Sequence, residues 1–124
     1  MILDASALLA LLQSETGADR VQAVLSKAFI SSVNWSEVVQ KLSVFDENAA
    51  DIRPELEAIG LKIVPFTAQQ AEICASLWAM SKPYGLSLGD RACIALGIQK
   101  KKTVLTADKV WTQLTLPIQI EVIR

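Results

Sequence analysis

The sequence predicts an α/β protein, a three-layer α/β/α sandwich whose central parallel sheet has four to five strands. Three observations lead there. Short apolar runs alternate with helical stripes along the 124 residues, and strands separated by helices are what a parallel sheet requires. The runs are continuously apolar instead of alternating, as strands covered on both faces are. The chain is 52% apolar but only 6% aromatic, the excess being mostly Ala, Leu, Ile and Val, and a sheet covered on both faces accounts for part of that excess. The length corresponds to one domain, residues 1–124.

Met1–Leu3 reads as the first strand. Ala5–Leu12 follows as a helix closed near Gly17, and Ala18–Lys27 has the helical spacing of Val21, Val24 and Leu25. Ala28–Ser31 is the second strand. Ser32–Phe45 and Asn48–Ile59 read as helices, the latter ended by Gly60 in a C′ position. The β-branched run Leu61–Phe66 is the third strand, after which Thr67 caps a helix running to about Ser81. Lys82–Leu86 is a loop, and Ser87 opens a helix reaching about Gly97. Thr103–Thr106 is the fourth strand, a short helix follows through Trp111, and Ile118–Val122 brings the count to five if it pairs.

Composition removes several chemistries. There is no His, which excludes Ser-His-Asp and Cys-His triads, His-ligated zinc, His-held haem and imidazole acid–base catalysis. Cys74 and Cys93 each sit among apolar helical neighbours, and their spacing forms neither a zinc site nor a redox pair; buried thiols in a reducing compartment are expected. The opening MILDASALLALL lacks a basic n-region and carries Asp4 within its apolar run, unlike a signal peptide. No run approaches the ~18 apolar residues of a membrane span. A cytoplasmic protein without a membrane association is expected.

In an open parallel sheet, ligands bind beyond the carboxyl ends of the strands. Four segments each deliver one acid there: Asp4 after the first strand, Glu37 early in the helix after the second, Asp90 in the first turn of the helix opened by Ser87, and Asp108 two residues past the fourth strand. Each has a plainer reading. Asp4 is a natural N-cap, Asn34-x-x-Glu37 and Ser87-x-x-Asp90 have the form of capping boxes, and Asp108 suits a helix N-terminus. Caps alone, however, do not require acids at four junctions of one sheet edge. Carboxylates gathered together repel unless a cation sits among them, and an all-oxygen donor set favours Mg²⁺ or Mn²⁺. Ser6 and Thr106 are placed to hydrogen-bond a carboxylate or a metal-bound water. Arg91 and Lys109 adjoin two of the acids, where they would contact a substrate phosphate or pair with the carboxylates. Lys100–Lys102 reads as a solvated turn at the opposite end of the fourth strand. The remaining acids, Asp46 and Glu47 among them, fall on polar faces or near helix ends. With 12 basic against 13 acidic residues, no broad basic face is expected.

The stretches ILDASALLALLQSETGADRV, SSVNWSEVV, GLSLGDRACIALG and TVLTADKVW, in this order, resemble the PIN-domain ribonucleases of the VapC toxin type, the nuclease half of bacterial type II toxin–antitoxin pairs. The resemblance covers essentially the whole chain. It implies a PIN-like fold with a metal site formed by Asp4, Glu37, Asp90 and Asp108. It further implies an Mg²⁺- or Mn²⁺-dependent endoribonuclease that cleaves RNA, is homodimeric, and is neutralised by a VapB-like antitoxin. Ser6 and Thr106 match positions where such proteins often keep a hydroxyl, and Arg91 one where they often carry a basic residue.

Three rival readings fit less well. A haloacid-dehalogenase-like phosphatase needs an Asp at position 6, which is Ser6, and a GDxxxD pair, whose last position is Ile94. A receiver module needs a phosphoacceptor Asp after the third strand, where Pro65, Phe66 and Thr67 stand. A non-catalytic PIN-like scaffold would have no need of all four acids. Trp35, Trp78, Trp111 and Tyr84 are candidates for a dimer interface or an antitoxin groove, with core packing as the alternative for each.

Overall fold

The computed structural model describes residues 1–45 and 49–124. Its five strands are β1 (Ile2–Leu3), β2 (Phe29–Ser31), β3 (Lys62–Val64), β4 (Val104–Thr106) and β5 (Ile120–Val122). They form an all-parallel sheet in the order β3-β2-β1-β4-β5. The helices are α1 (Ala5–Leu12), α2 (Ala18–Val24), α3 (Ser32–Ser43), α4 (Ala49–Ile59), α5 (Ala68–Ser76), α6 (Trp78–Ser81) and α7 (Leu88–Lys100).

Successive strand side chains point to opposite faces, and this builds the three layers. Leu3 and Leu105 enter a core with Leu8, Val21, Ile30, Val38, Leu42 and Leu56, beneath α1–α4. Their neighbours Ile2 and Val104 enter a second core with Leu77, Cys93, Ile94, Leu96 and Trp111, beneath α5–α7. A two-residue β1 suffices because both of its side chains are fully buried. Gly60 makes the turn from α4 into β3 at φ +131°, where a Cβ would lie 2.2 Å from the Ser26 carbonyl oxygen.

Several boundaries differ from the sequence reading, each for a local reason. The strands are shorter than expected; β3 stops at Val64 because Pro65 has no N–H for the ladder. The end of the Ala18–Lys27 helix tightens into a 3₁₀ turn, Leu25–Lys27, and α3 stops at Ser43, leaving Val44 and Phe45 exposed in a turn. The helix expected from Thr67 to Ser81 breaks at Leu77, whose N–H bonds the Cys74 carbonyl three residues back while its side chain enters the core. Within the expected loop, Lys82–Tyr84 forms a 3₁₀ turn. Helix α7 outruns its predicted end by a turn and stops where Lys101 turns to φ +55°. The short helix before Trp111 is the 3₁₀ turn Lys109–Gln113. Asp46, Glu47 and Asn48, the last being the expected start of α4, lie outside the described residues.

Strand order reverses between β1 and β4, since the chain moves from β1 through β2 to β3 on one side and resumes with β4 on the other. The crevice at such a switch point is where open α/β sheets take ligands. Asp4 follows β1 and Asp108 follows β4. Among the described residues no helix is long and apolar enough to cross a membrane.

Candidate functional site

Asp4 is the N-cap of α1 and accepts a hydrogen bond from the Ala7 N–H at 2.8 Å. Two hydroxyls also donate to its carboxylate, Ser6 Oγ at 2.7 Å and Thr106 Oγ1 at 2.6 Å. The side chain is only 5% exposed. Burial pushes its carboxyl up to about 6; the three hydrogen bonds pull the other way, and the charge of Asp90 adds to the rise. Thr106 joins the two central strands, because its hydroxyl also accepts from the Asp108 N–H at 3.0 Å. Ser6 does the same through the Ala107 N–H at 2.9 Å.

Glu37 and Asp90 are brought to one cavity by the packing of α3 against α7. Asn34 Nδ2 donates to Glu37 Oε1 at 2.9 Å and to the Gly89 carbonyl at 3.0 Å. Gly89 leaves room for the Glu37 carboxylate, which would stand 2.7 Å from a Cβ there. Asp90 and Ser87 form a complete capping box, with Asp90 Oδ2 accepting from the Ser87 N–H at 2.9 Å. Asp108 caps the 3₁₀ turn through the Val110 N–H at 3.0 Å. The expected Asn34–Glu37 capping box is absent: the N-cap of α3 is Ser31, so Asn34 already lies inside the helix and its amide bridges to α7.

All four acids line one cavity of about 120 Å³, with Ser6, Asn34, Lys41 and Trp111 also in its wall. Among the described residues no three acids converge closely enough to ligate one ion as they stand. The reason is visible in their bonds, since Asp4, Asp90 and Asp108 each cap a helix end and Glu37 is held by Asn34. The donor set nonetheless fits a hard divalent cation. It is all carboxylate oxygen, and among the described residues one oxygen each of Glu37, Asp90 and Asp108 receives no hydrogen bond. Asn34 Oδ1 and Trp111 Nε1, on the same wall, are buried without partners, as in a cavity built for polar contents.

The cations divide differently from the sequence reading. Lys109 and Arg124 line a wider cleft of about 620 Å³ that shares Ser6 and Asp108 with the acid cavity. Arg91 turns away, donating to the Cys74 carbonyl at 3.2 Å, because its position on α7 faces the end of α5. Arg91→Gln is therefore expected to lower the melting temperature by a few degrees while leaving any turnover at the acid cavity within about threefold of wild type. A large loss of turnover would return Arg91 to the site. Trp111 is 1% exposed and belongs to the core, Trp35 packs against the other core, and Trp78 and Tyr84 remain on the surface. Asn34, Lys41, Gly89 and Arg124 escape the sequence reading. Only the Asn34-x-x-Glu37 spacing hints at one of them, and along the chain it reads as a cap.

A model of the PIN domain matches residues 1–115. Comparison with curated proteins gives no match. Among solved structures, the chain is similar to DNA-bound VapBC from Salmonella typhimurium, with TM-score 0.74 and 16% identity over 99% of this chain and 97% of that one. It is similar also to a toxin–antitoxin complex from Klebsiella pneumoniae, with TM-score 0.72 and 20% identity over 96% and 98%. FitAcB from Neisseria gonorrhoeae aligns with TM-score 0.70 and 17% identity over 96% and 94%. These likenesses establish the fold, and the family match over nearly the whole length, together with acids from four separate segments lining one cavity, places the chain in the PIN domain family.

Proposed function

We propose that this chain is an endoribonuclease toxin of the VapC type, dependent on Mg²⁺ or Mn²⁺ and neutralised by a VapB-like antitoxin. The observation that carries the reading is the cavity itself, lined by four carboxylates from four separate elements, the buried Asp4 among them. Asp4, Glu37, Asp90 and Asp108 would hold the ion. Once bound, a divalent ion polarises a phosphodiester and makes water a better nucleophile near neutral pH. Ser6 and Thr106 keep Asp4 turned toward the cavity. Lys41, Lys109 and Arg124 border it or its adjoining cleft, where they would contact phosphates of the strand. The antitoxin partner is supported by the similarity to structures of toxin–antitoxin complexes. The exposed Trp78, Tyr84 and Leu88 offer apolar surface to that partner or to a second copy in a homodimer.

The test is direct. Purified chain incubated with end-labelled RNA should produce internal cuts in Mg²⁺ or Mn²⁺. EDTA should stop the cutting, and an equimolar amount of any small antitoxin-like protein encoded beside it should suppress it. Cutting that persists in EDTA would refute the metal assignment. Intact RNA in both metals, across structured and unstructured substrates, would refute the nuclease.

A further inference from the structure

The opposite ends of the strands carry the opposite charge. Lys62 opens β3 in direct register with Phe29 of β2, Lys100 ends α7, and Lys102 leads into β4. Their ammonium groups stand 5.4, 4.4 and 5.9 Å from the centroid of the Phe29 ring. Lys101, between two of them, is exposed. Three ammonium groups within about 6 Å of one ring centroid gather positive charge at one point of the surface. The lysine stems shelter the half-buried ring while the charged heads stay in water. The three ion pairs among the described residues, Arg20–Glu121, Arg53–Glu57 and Arg124–Glu15, use none of these lysines. The triple lysine is a solvated turn, as expected, and two of its members, Lys100 and Lys102, also join Lys62 around Phe29 to form a basic edge.

Helix α7 sets the geometry of the two poles. Asp90 lies in its first turn and Lys100 in its last, about 15 Å apart at 1.5 Å per residue. A polyanion approaching the carboxylate pole is repelled until a cation neutralises it, in a chain whose net charge is −1. Uncompensated ammonium groups at the other pole attract it and release their counterions on contact.

We propose that the edge formed by Lys62, Lys100, Lys101 and Lys102 around Phe29 is a second binding surface for RNA. It holds the phosphodiester backbone of the substrate away from the bond that is cut. The identity of the polyanion rests on the endoribonuclease reading, and the surface itself on the lysine geometry.

The experiment measures binding of fluorescently labelled single-stranded RNA in EDTA, where nothing is cut, over a series of salt concentrations. The triple variant Lys62→Met, Lys100→Met, Lys102→Met keeps the apolar cover of Phe29 and removes the charge. It should bind about tenfold more weakly, with a salt slope reduced by about 2, near 0.7 for each lost phosphate contact. Arginine at the same three positions should restore both. Lys102→Glu alone, at an exposed position, should shift affinity and slope the same way by less, and it supplies the readout if the triple variant unfolds. Wild-type affinity and slope in the methionine and Lys102→Glu variants would overturn the proposal and leave the lysines as a cover for the ring. Equal lysine-dependent affinity for duplex DNA would overturn the assignment to RNA. A wild-type protein that binds RNA through these lysines but cuts none in Mg²⁺ would refute the nuclease reading and still support the surface.

Discussion

Asp4→Asn should abolish RNA cleavage, by about a thousandfold or more, and leave the metal-free protein more stable at pH 7 than wild type. The first effect corresponds to about 4 kcal/mol of lost transition-state stabilisation, since the substitution removes a charge from the proposed ion site. The second follows from burial. The folded carboxyl keeps its proton up to about pH 6, because desolvation raises it, whereas an unfolded Asp releases its proton near ~3.9. Between those values the folded state binds more protons than the unfolded one, so stability falls as pH rises through the window and stays lower above it. Two pH units at about 1.36 kcal/mol each bound the cost at roughly 3 kcal/mol. The amide avoids that cost but gives part of the gain back, because it replaces one of the two oxygens that accept from Ser6, Thr106 and Ala7. Melting curves of both proteins from pH 4 to pH 8 should therefore nearly coincide at the acid end and separate in favour of the Asp4→Asn variant above pH 6. Added Mg²⁺ should raise the wild-type curve at pH 7 and leave the variant unmoved. A variant less stable than wild type at pH 7 would reduce Asp4 to a helix cap.

The sequence made the layers readable because strand residues alternate between two covered faces, and Ile2–Leu3 and Val104–Leu105 are apolar on both. It also pointed to the four acids, since each sits at a junction defined by short-range spacing. What it hid depends on contacts between distant segments. Asn34 looks like a cap when only positions 34 and 37 are compared; its amide in fact reaches the backbone of α7, 55 residues away. Arg91 adjoins Asp90 along the chain, yet α7 turns the two side chains in different directions, one to Cys74 and one to Ser87. The break at Leu77 is invisible to helical periodicity, because burial of that leucine decides it. Phe29, Lys62 and the Lys100–Lys102 run come from three different segments, and no pattern along the chain joins the three.

Gly89→Ala tests the most concealed of these contacts and should lower cleavage by about a hundredfold with little change in stability. Position 89 is the second residue of α7 and has no positive φ, so alanine there is conformationally easy and a better helix former by about 1 kcal/mol. The obstacle is Glu37, because a Cβ would stand 2.7 Å from its Oε1 and 2.8 Å from its Cδ. The carboxylate is the far end of a flexible side chain, so it yields at small cost to the fold. It cannot yield and keep its place in the cavity, and displacement of a reacting or ligating group by about 1 Å costs on the order of a hundredfold in rate. Asn34 moves with it, since its amide holds both Glu37 and the Gly89 carbonyl. The melting temperature should stay within a few degrees of wild type. A double-mutant cycle decides whether the loss passes through Glu37. In a Glu37→Ala background the side chain that obstructs Cβ is gone, so Gly89→Ala should cost almost nothing further. If the two losses instead multiply, Gly89 acts on cleavage by another route and the seat it provides for Glu37 is incidental.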